Sequence, residues 1–334
     1  MPRSGSRPAR VRLFSRFQRH AVRDDSSTRS VERAVIETPR VVAVILNWDG
    51  SSQTARCARS IERGTYPVTV LIVDNESTDR TADALKSCCP DAELIRTGRN
   101  LGYAGGMNVG IRRALELNAD FIMLLNNDTS LGTRCVEHLI GAMNSDSRIG
   151  LAGPIVIDGA SNAVESCGGT LDWRRSEPRL RRHGEPRFRE ETGREDVEFV
   201  PGVAIFARAA AIRDAGLLPE RYFLYFEDCA WSLQLRLRGW RTIVCRDARV
   251  LHWESSSAGK GSPLKSYYYV RNNYHFMDDW NPRGRHRSAR VGLHWKIVKM
   301  AIRFAAVGRL GNMFAVGRGF LDYRRGIDGP ALKP

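Results

Sequence analysis

The stretch Phe121-Ile122-Met123-Leu124-Leu125-Asn126-Asn127-Asp128-Thr129 is an apolar run that breaks off in two amides and a carboxylate. A continuous apolar run bounded by turn formers describes a strand buried on both faces. Its polar groups are collected at one tip, and in an open α/β sheet ligands bind at that edge. A lone carboxylate there suits a hard divalent cation that completes its coordination on substrate phosphates. Asn and Asp also start turns at many strand ends. The motif therefore takes its meaning from three other stretches, 41–50, 70–79 and 221–253, which fit the same reading.

Upstream, Val41 to Leu46 is an uninterrupted apolar run ending in Asn47-Trp48-Asp49-Gly50, and Val68 to Val73 is another, ending in Asp74-Asn75. Helical patterns are expected over 51–63, 79–88 and 105–117, with a short strand at 93–96. Strand alternating with helix at this spacing predicts an α/β fold with a doubly wound, mostly parallel sheet. Downstream, 172–196 is dense in Arg and acids and nearly free of apolar residues, which reads as a surface loop. Strands are expected at 200–207 and 241–251, and helices at 208–216 and 227–238. Over 288–320, Leu293, Trp295, Ile297, Val298, Met300, Ile302 and Phe304 interleave with Lys296, Lys299 and Arg303. Such a basic amphipathic helix lies in a membrane interface or packs on the main domain.

The formal net charge of +15 sits at the ends. Residues 1–33 carry nine Arg against three acids, and 281–334 carry twelve Lys and Arg against two. The body between them is close to neutral, which argues against a nucleic-acid-binding core. Three parts are expected: a disordered basic tail over 1–38, a catalytic domain over 39–280, and a basic helical extension over 281–334. The N-terminus lacks the apolar region of a secretory signal, and no run is long enough to span a bilayer. The seven cysteines lack C-x-x-C spacing and read as reduced thiols, which places the chain in the cytoplasm.

Three strand tips thus converge: Asn47-Trp48-Asp49-Gly50, Asp74-Asn75 and Asn126-Asn127-Asp128. A carboxylate at the second can accept from a pyrimidine N–H or a ribose hydroxyl. One at the last can hold a metal that neutralises a diphosphate. A nucleoside diphosphate laid across the edge is the implied ligand, although any one of these acids alone reads as a turn or helix cap.

Five blocks in this order resemble the inverting family-two glycosyltransferases of the glycosyltransferase A fold, in particular their bacterial rhamnosyltransferase-like branch. They are Val44-Ile-Leu-Asn47-Trp-Asp-Gly50, Val73-Asp74-Asn75-Glu-Ser77-Thr-Asp79, Asn100-Leu-Gly102-Tyr-Ala-Gly-Gly-Met-Asn108-Val-Gly110, Leu124-Leu-Asn-Asn-Asp128, and Phe223-Leu-Tyr-Phe-Glu227-Asp228 with Gly239-Trp240 and His252. Tyr268-Tyr269-Val270-Arg271-Asn272 is a weaker sixth. The resemblance implies that Asp74 contacts the nucleotide base, that Asn47, Asp49 and Asn127 line the same pocket, and that the Asn100–Asn108 loop closes over the ribose or sugar. It makes Asp128 and His252 ligands of Mg2+ or Mn2+, Asp228 the base that deprotonates the acceptor hydroxyl, and Glu227 its neighbour orienting acceptor or water.

Two departures stand out: Asn126 where the metal motif often has its first Asp, and Ala230 where relatives often have another Asp. The implied reaction moves rhamnose or a hexose from a UDP or dTDP donor to a glycan or polyprenyl-linked acceptor in cell-surface polysaccharide synthesis. The C-terminal basic helix would touch the inner membrane face, and no specific nucleic acid is bound. Two other readings compete. A sugar nucleotidyltransferase would carry a Gly-rich phosphate loop after the first strand, which Ser51-Ser52-Gln53 does not supply. An inactive relative holding nucleic acid or a partner would bind polynucleotides in a salt-sensitive way.

Overall fold

The computed structural model describes residues 38–331 apart from 78, 176, 187–191, 254–260 and 282–285. The basic N-terminal tail lies outside the described residues. The apolar runs form strands β1 (Val41–Asn47) and β2 (Val68–Asp74), parallel, with Asn47 opposite Asp74. β3 (Glu93–Arg96) continues the sheet beyond β2, while β4 (Phe121–Asn126) pairs with the other side of β1. Helices α1 (Ser51–Glu62), α2 (Asp79–Cys88) and α3 (Gly102–Glu116) make the crossovers. The strand order reverses between β1 and β4, so a crevice opens there at the carboxyl ends of the strands.

The chain continues through β5 (Thr129–Leu131), α4 (Cys135–Asn144), β6 (Ile149–Asp158), β7 (Val164–Ser166), β8 (Gly169–Asp172), β9 (Glu177–Leu180), β10 (Arg194–Asp196), β11 (Ala204–Arg208), α5 (Ala209–Ala215), α6 (Glu227–Leu237) and β12 (Arg241–His252). The sheet order is β10-β12-β6-β11-β4-β1-β2-β3, with β5 on β12 and β7 on β6. β11 runs antiparallel between β4 and β6, and β12 is parallel to β6. The start of β11 and the end of β12 therefore share the edge formed by the carboxyl ends of β1, β2 and β4.

The stretch 172–196 is not the plain loop its composition suggests. β8 and β9 form a hairpin, and β10 edges β12. Ion pairs Arg179–Asp172 and Arg182–Glu185, at 2.8 and 3.1 Å, set its opposite charges against each other. The Arg179–Asp172 pair crosses from β9 to β8, charge pairing of a kind that replaces apolar alternation. β6 was hidden by Gly150, Gly153 and Pro154, residues that usually mark turns.

Alternate side chains of each strand serve opposite faces. Val41, Ala43 and Ile45 pack with α1, α2 and α4, whereas Val42 and Val44 pack with α3, α5 and α6. Helix α3 lies close on β1 because Gly106 and Gly110 face it: a Cβ there would stand 2.4 Å from Leu46 and 2.2 Å from Val44.

Three helices complete the described chain: α7 (Pro263–Trp280), α8 (His286–Ala306) and α9 (Leu310–Arg324). Val270, Tyr274 and Met277 of α7, Leu293 and Ile297 of α8 and Val316 of α9 share one apolar cluster. The single helix expected over 288–320 is thus two, broken at Gly308, whose φ is 71°. Leu293 and Ile297 point inward, while Val291, Trp295, Val298 and Ile302 stay exposed. All seven cysteines are free. Among the described residues no helix is long and apolar enough to cross a membrane.

Candidate active site

The tips of β1 and β2 are tied by side chains. Asn47 is fully buried, and its Nδ2 donates to Asp74 Oδ1 at 3.0 Å and to Ser77 Oγ at 2.9 Å. Its Oδ1 accepts from the Gly50 N–H and from Thr54 Oγ1. Ser77 also accepts from the Asp49 N–H, holding Asp49 in a left-handed conformation with φ 52°. Asp74 Oδ2 accepts no hydrogen bond, and Arg96 Nε lies 3.5 Å from it. That oxygen is the acceptor the site leaves over. Arg96 was not singled out from the sequence, and Ser77 stood there only as part of the Val73–Asp79 block.

Asn127 rests above Gly50, where a Cβ would meet its Nδ2 at 2.4 Å, and it donates to Thr54. Asn100 Oδ1 accepts from Gly102 N–H and Asn75 Nδ2, so the 100–102 turn is fastened to the β2 tip. Asn108 stands apart from this group. It is buried inside α3, and its amide bonds Leu218 at both N–H and carbonyl, and Glu220 at Oε1.

At the other end of the edge, His252 lies opposite Thr129 across the β12–β5 pairing, and Trp253 N–H donates to Asp128 carbonyl. This register brings His252 Nε2 to 3.2 Å from Asp128 Oδ1. Glu165 of β7, missed in the sequence, holds His252 Nδ1 at 2.7 Å. Burial works to lower the imidazole pKa, but the two carboxylates outweigh it and raise it to about 10. Asp128 and His252 supply one oxygen and one nitrogen donor, with Glu165 orienting the ring as an outer partner of a metal ligand does. That donor set fits a divalent cation that keeps its other positions for phosphate and water. Among the described residues no group of three or more His, Cys, Asp or Glu forms a metal cage by itself.

The acids Glu227 and Asp228 open α6 after a contorted loop. Phe223, Tyr225 and Phe226 all have φ between 64° and 75°. Left-handed backbone in such residues persists only where the surroundings over-determine it. Here every carbonyl from Leu218 to Phe226 accepts a hydrogen bond. Asn272 Nδ2 lies within hydrogen-bonding distance of the carbonyls of Tyr222, Leu224 and Tyr225, and Arg271 reaches Arg221, Tyr222 and Gly329. Both side chains are fully buried on α7, which gives the Tyr268–Asn272 block its meaning. From the other side Tyr103 N–H donates to Phe223 carbonyl. Gly102 permits that approach, since a Cβ would stand 2.4 Å from the Phe223 oxygen.

Asp228 accepts from the N–H groups of Gly202 at 2.9 Å and Cys229 at 2.7 Å. Tyr103 hydroxyl donates to the Gly202 carbonyl, fixing that peptide. Burial raises the pKa of Asp228 above the usual carboxylate value, against the pull of those N–H groups. Glu227 is driven well above it, first by burial and then by the charge of Asp228. Its Oε2 has no partner. The two titrate as a pair, with Glu227 raised the further of the two. A carboxylate so placed is a stronger base than an exposed one.

The family profile described as Glycosyl transferase family 2 matches residues 42–211, and the chain belongs to that family. It is a glycosyltransferase. It is 28% identical over 238 residues to the N-acetylglucosaminyl-diphospho-decaprenol L-rhamnosyltransferase of Mycobacterium tuberculosis, covering 64% of this chain and 75% of that one. It is 27% identical over 217 residues to a dTDP-rhamnosyl transferase of Shigella flexneri, covering 61% and 69%. A crystal structure of GalNAc-T7 with UDP, GalNAc and Mn2+ aligns with a TM-score of 0.59 at 16% identity, over 72% of this chain and 48% of that one. The mannosyltransferase PcManGT of Pyrobaculum calidifontis, in complex with GDP-Man and Mn2+, gives 0.53 at 12%, over 86% and 87%. These two likenesses are of fold, and they meet the expectation of a glycosyltransferase A type domain.

Proposed function

We propose that the chain transfers rhamnose or a related hexose, with inversion, from a UDP or dTDP donor to a hydroxyl of a lipid-linked glycan. The observation that carries this is one sheet edge bearing both the Asn47–Asp74 pair and the Asp128–His252 pair, with a locked carboxylate, Asp228, delivered from the next layer. The two rhamnosyltransferase relatives support the donor sugar, and the decaprenol-linked substrate named for one of them supports the acceptor class. The Mn2+ in both structural neighbours supports a divalent cation at Asp128 and His252. When bound there, such an ion supplies charge neutralisation for the departing diphosphate.

In this reading Asp74 Oδ2 accepts from the base or ribose, and Asn100 and Asn127 line the pocket. Asn108 serves indirectly by pinning the start of the acid–base loop. Asp228 takes the proton of the acceptor hydroxyl as its oxygen bonds the anomeric carbon. The bond from that carbon to the diphosphate breaks on the opposite face, and its electron pair leaves with the diphosphate. Glu227, beside Asp228, orients the acceptor or water. The exposed stripe of Val291, Trp295, Val298 and Ile302, with Lys299 and Arg303 alongside, would rest on the inner membrane face. This is consistent with a cytoplasmic enzyme acting on a membrane-held acceptor.

The test is calorimetric titration of UDP, dTDP and GDP with and without Mn2+ or Mg2+, on the natural protein and on Asp128→Ala. Metal-dependent binding of UDP or dTDP that falls at least tenfold in the variant is expected. A folded natural protein that binds no nucleotide overturns the reading.

A further inference from the structure

Helices α7 and α9 leave an open groove of about 810 Å³ beside the apolar cluster they share. Leu264 and Tyr267 line it from α7, and Met313, Phe314, Gly317 and Leu321 from α9. The volume lies in the range of ligand pockets, about 300–1,000 Å³. Phe314 and Leu321 are 68% and 50% exposed, an unusual state for two large apolar residues one helical face apart. The groove continues an apolar stripe, since Leu310, Phe314, Gly317 and Leu321 recur at helical spacing along α9.

Three observations bear on the occupant. First, the groove has an arginine at one end. Arg309 lies at the Gly261 end, where a Cβ on Gly261 would meet its Nη1 at 2.8 Å, and Arg318 lines the groove, paired with Asp322 at 2.8 Å. An apolar groove with an arginine at one end complements a lipid that carries phosphate at one end. Second, the groove shares α7 with the acid–base loop. Tyr267 faces the groove, whereas its neighbour Tyr268 stacks on Phe223 of the loop with ring centroids 5.0 Å apart, and Asn272 binds that loop. The groove and the loop that ends in Asp228 thus flank the same helix, whose diameter is about 10–12 Å. Third, Gly317 leaves space: a Cβ there meets nothing within 4 Å.

We propose that this groove binds the isoprenoid chain of the lipid-linked acceptor, with Arg309 toward its phosphates and the glycan carried around α7 to Asp228. The proposal rests on the lipid-linked acceptor reading given above. It assigns the tail to a built slot on the protein, distinct from the α8 stripe.

Farnesyl phosphate is the probe, titrated by calorimetry against the natural protein and Gly317→Trp, with inorganic phosphate and dodecyl phosphate as comparisons. Tryptophan suits a helix better than glycine and fills the slot. The natural protein should bind farnesyl phosphate, Gly317→Trp should bind it at least tenfold more weakly, and inorganic phosphate should give no signal at the same concentration. Equal binding by the variant, or none by the natural protein, overturns the proposal. Dodecyl phosphate binding as tightly as farnesyl phosphate also overturns it, because the slot would then take any acyl chain of the bilayer. UDP and dTDP are titrated on the same samples. Nucleotide binding without farnesyl phosphate binding sinks the groove alone, and the reverse pattern sinks the transferase reading.

Discussion

Replacing Asn272 by Ala asks whether the acid–base loop is held in place from behind. The amide nitrogen lies 2.6, 2.7 and 3.1 Å from the carbonyl oxygens of Tyr222, Leu224 and Tyr225, with two protons to share among them. Leaving two buried acceptors unmatched costs about 1–3 kcal/mol each. Against this stands the strain of Phe223, Tyr225 and Phe226, at about 1–2 kcal/mol per left-handed residue. The two sums are of the same size, so losing the amide lets the loop relax.

Asp228 follows directly after that loop, and a displacement of about 1 Å costs on the order of 10²-fold in rate. Steady-state sugar transfer should show kcat for Asn272→Ala lowered by about 10²-fold. The Kd for nucleotide should hold within about twofold, because Asn47 and Asp74 belong to β1 and β2. A folded variant with unchanged kcat would refute the reasoning, and so would parallel loss of nucleotide binding.

Asp228→Asn should lower kcat by about 10²–10⁴-fold, the range for general acid–base groups, while leaving nucleotide binding intact. In the natural protein the base works only when ionised and burial raises its pKa, so kcat/KM should fall off with acid at a higher pH than an exposed Asp would give. A pH profile that is flat through that region speaks against Asp228 as the base. Trp295 is 63% exposed on α8, and Trp295→Glu should reduce flotation with anionic liposomes without changing nucleotide binding; equal flotation removes the membrane contact.

Much of the edge was legible from local pattern. Continuous apolar runs announced β1, β2 and β4, and each broke off at the residues that share the tip row. The reason is local. A strand buried on both faces cannot carry polar side chains, so they gather where it ends. Asn47, Asp74 and Asp128 could therefore be named from the chain alone. The acids of α6 were named through the family resemblance, since charges opening a helix are by themselves ordinary.

Other features depend on residues distant in sequence. Glu165 reaches His252 from 87 positions away, and the antiparallel β7–β6 pairing that presents it follows a β6 masked by glycine and proline. In the sequence Arg271 and Asn272 stood only as part of the weaker Tyr268–Asn272 block. Only packing of α7 against the 218–226 loop shows that they hold its backbone, and that loop, together with a φ of 72°, explains why Gly102 must lack a side chain. Asn108 looked like a ligand contact and is instead a pin on Leu218. Periodicity along a helix likewise states how much apolar surface there is, not how it is shared out. In α8, Leu293 and Ile297 met α7 and α9, while Trp295 and Ile302 met solvent, and that division was decided by which neighbours the third layer supplied.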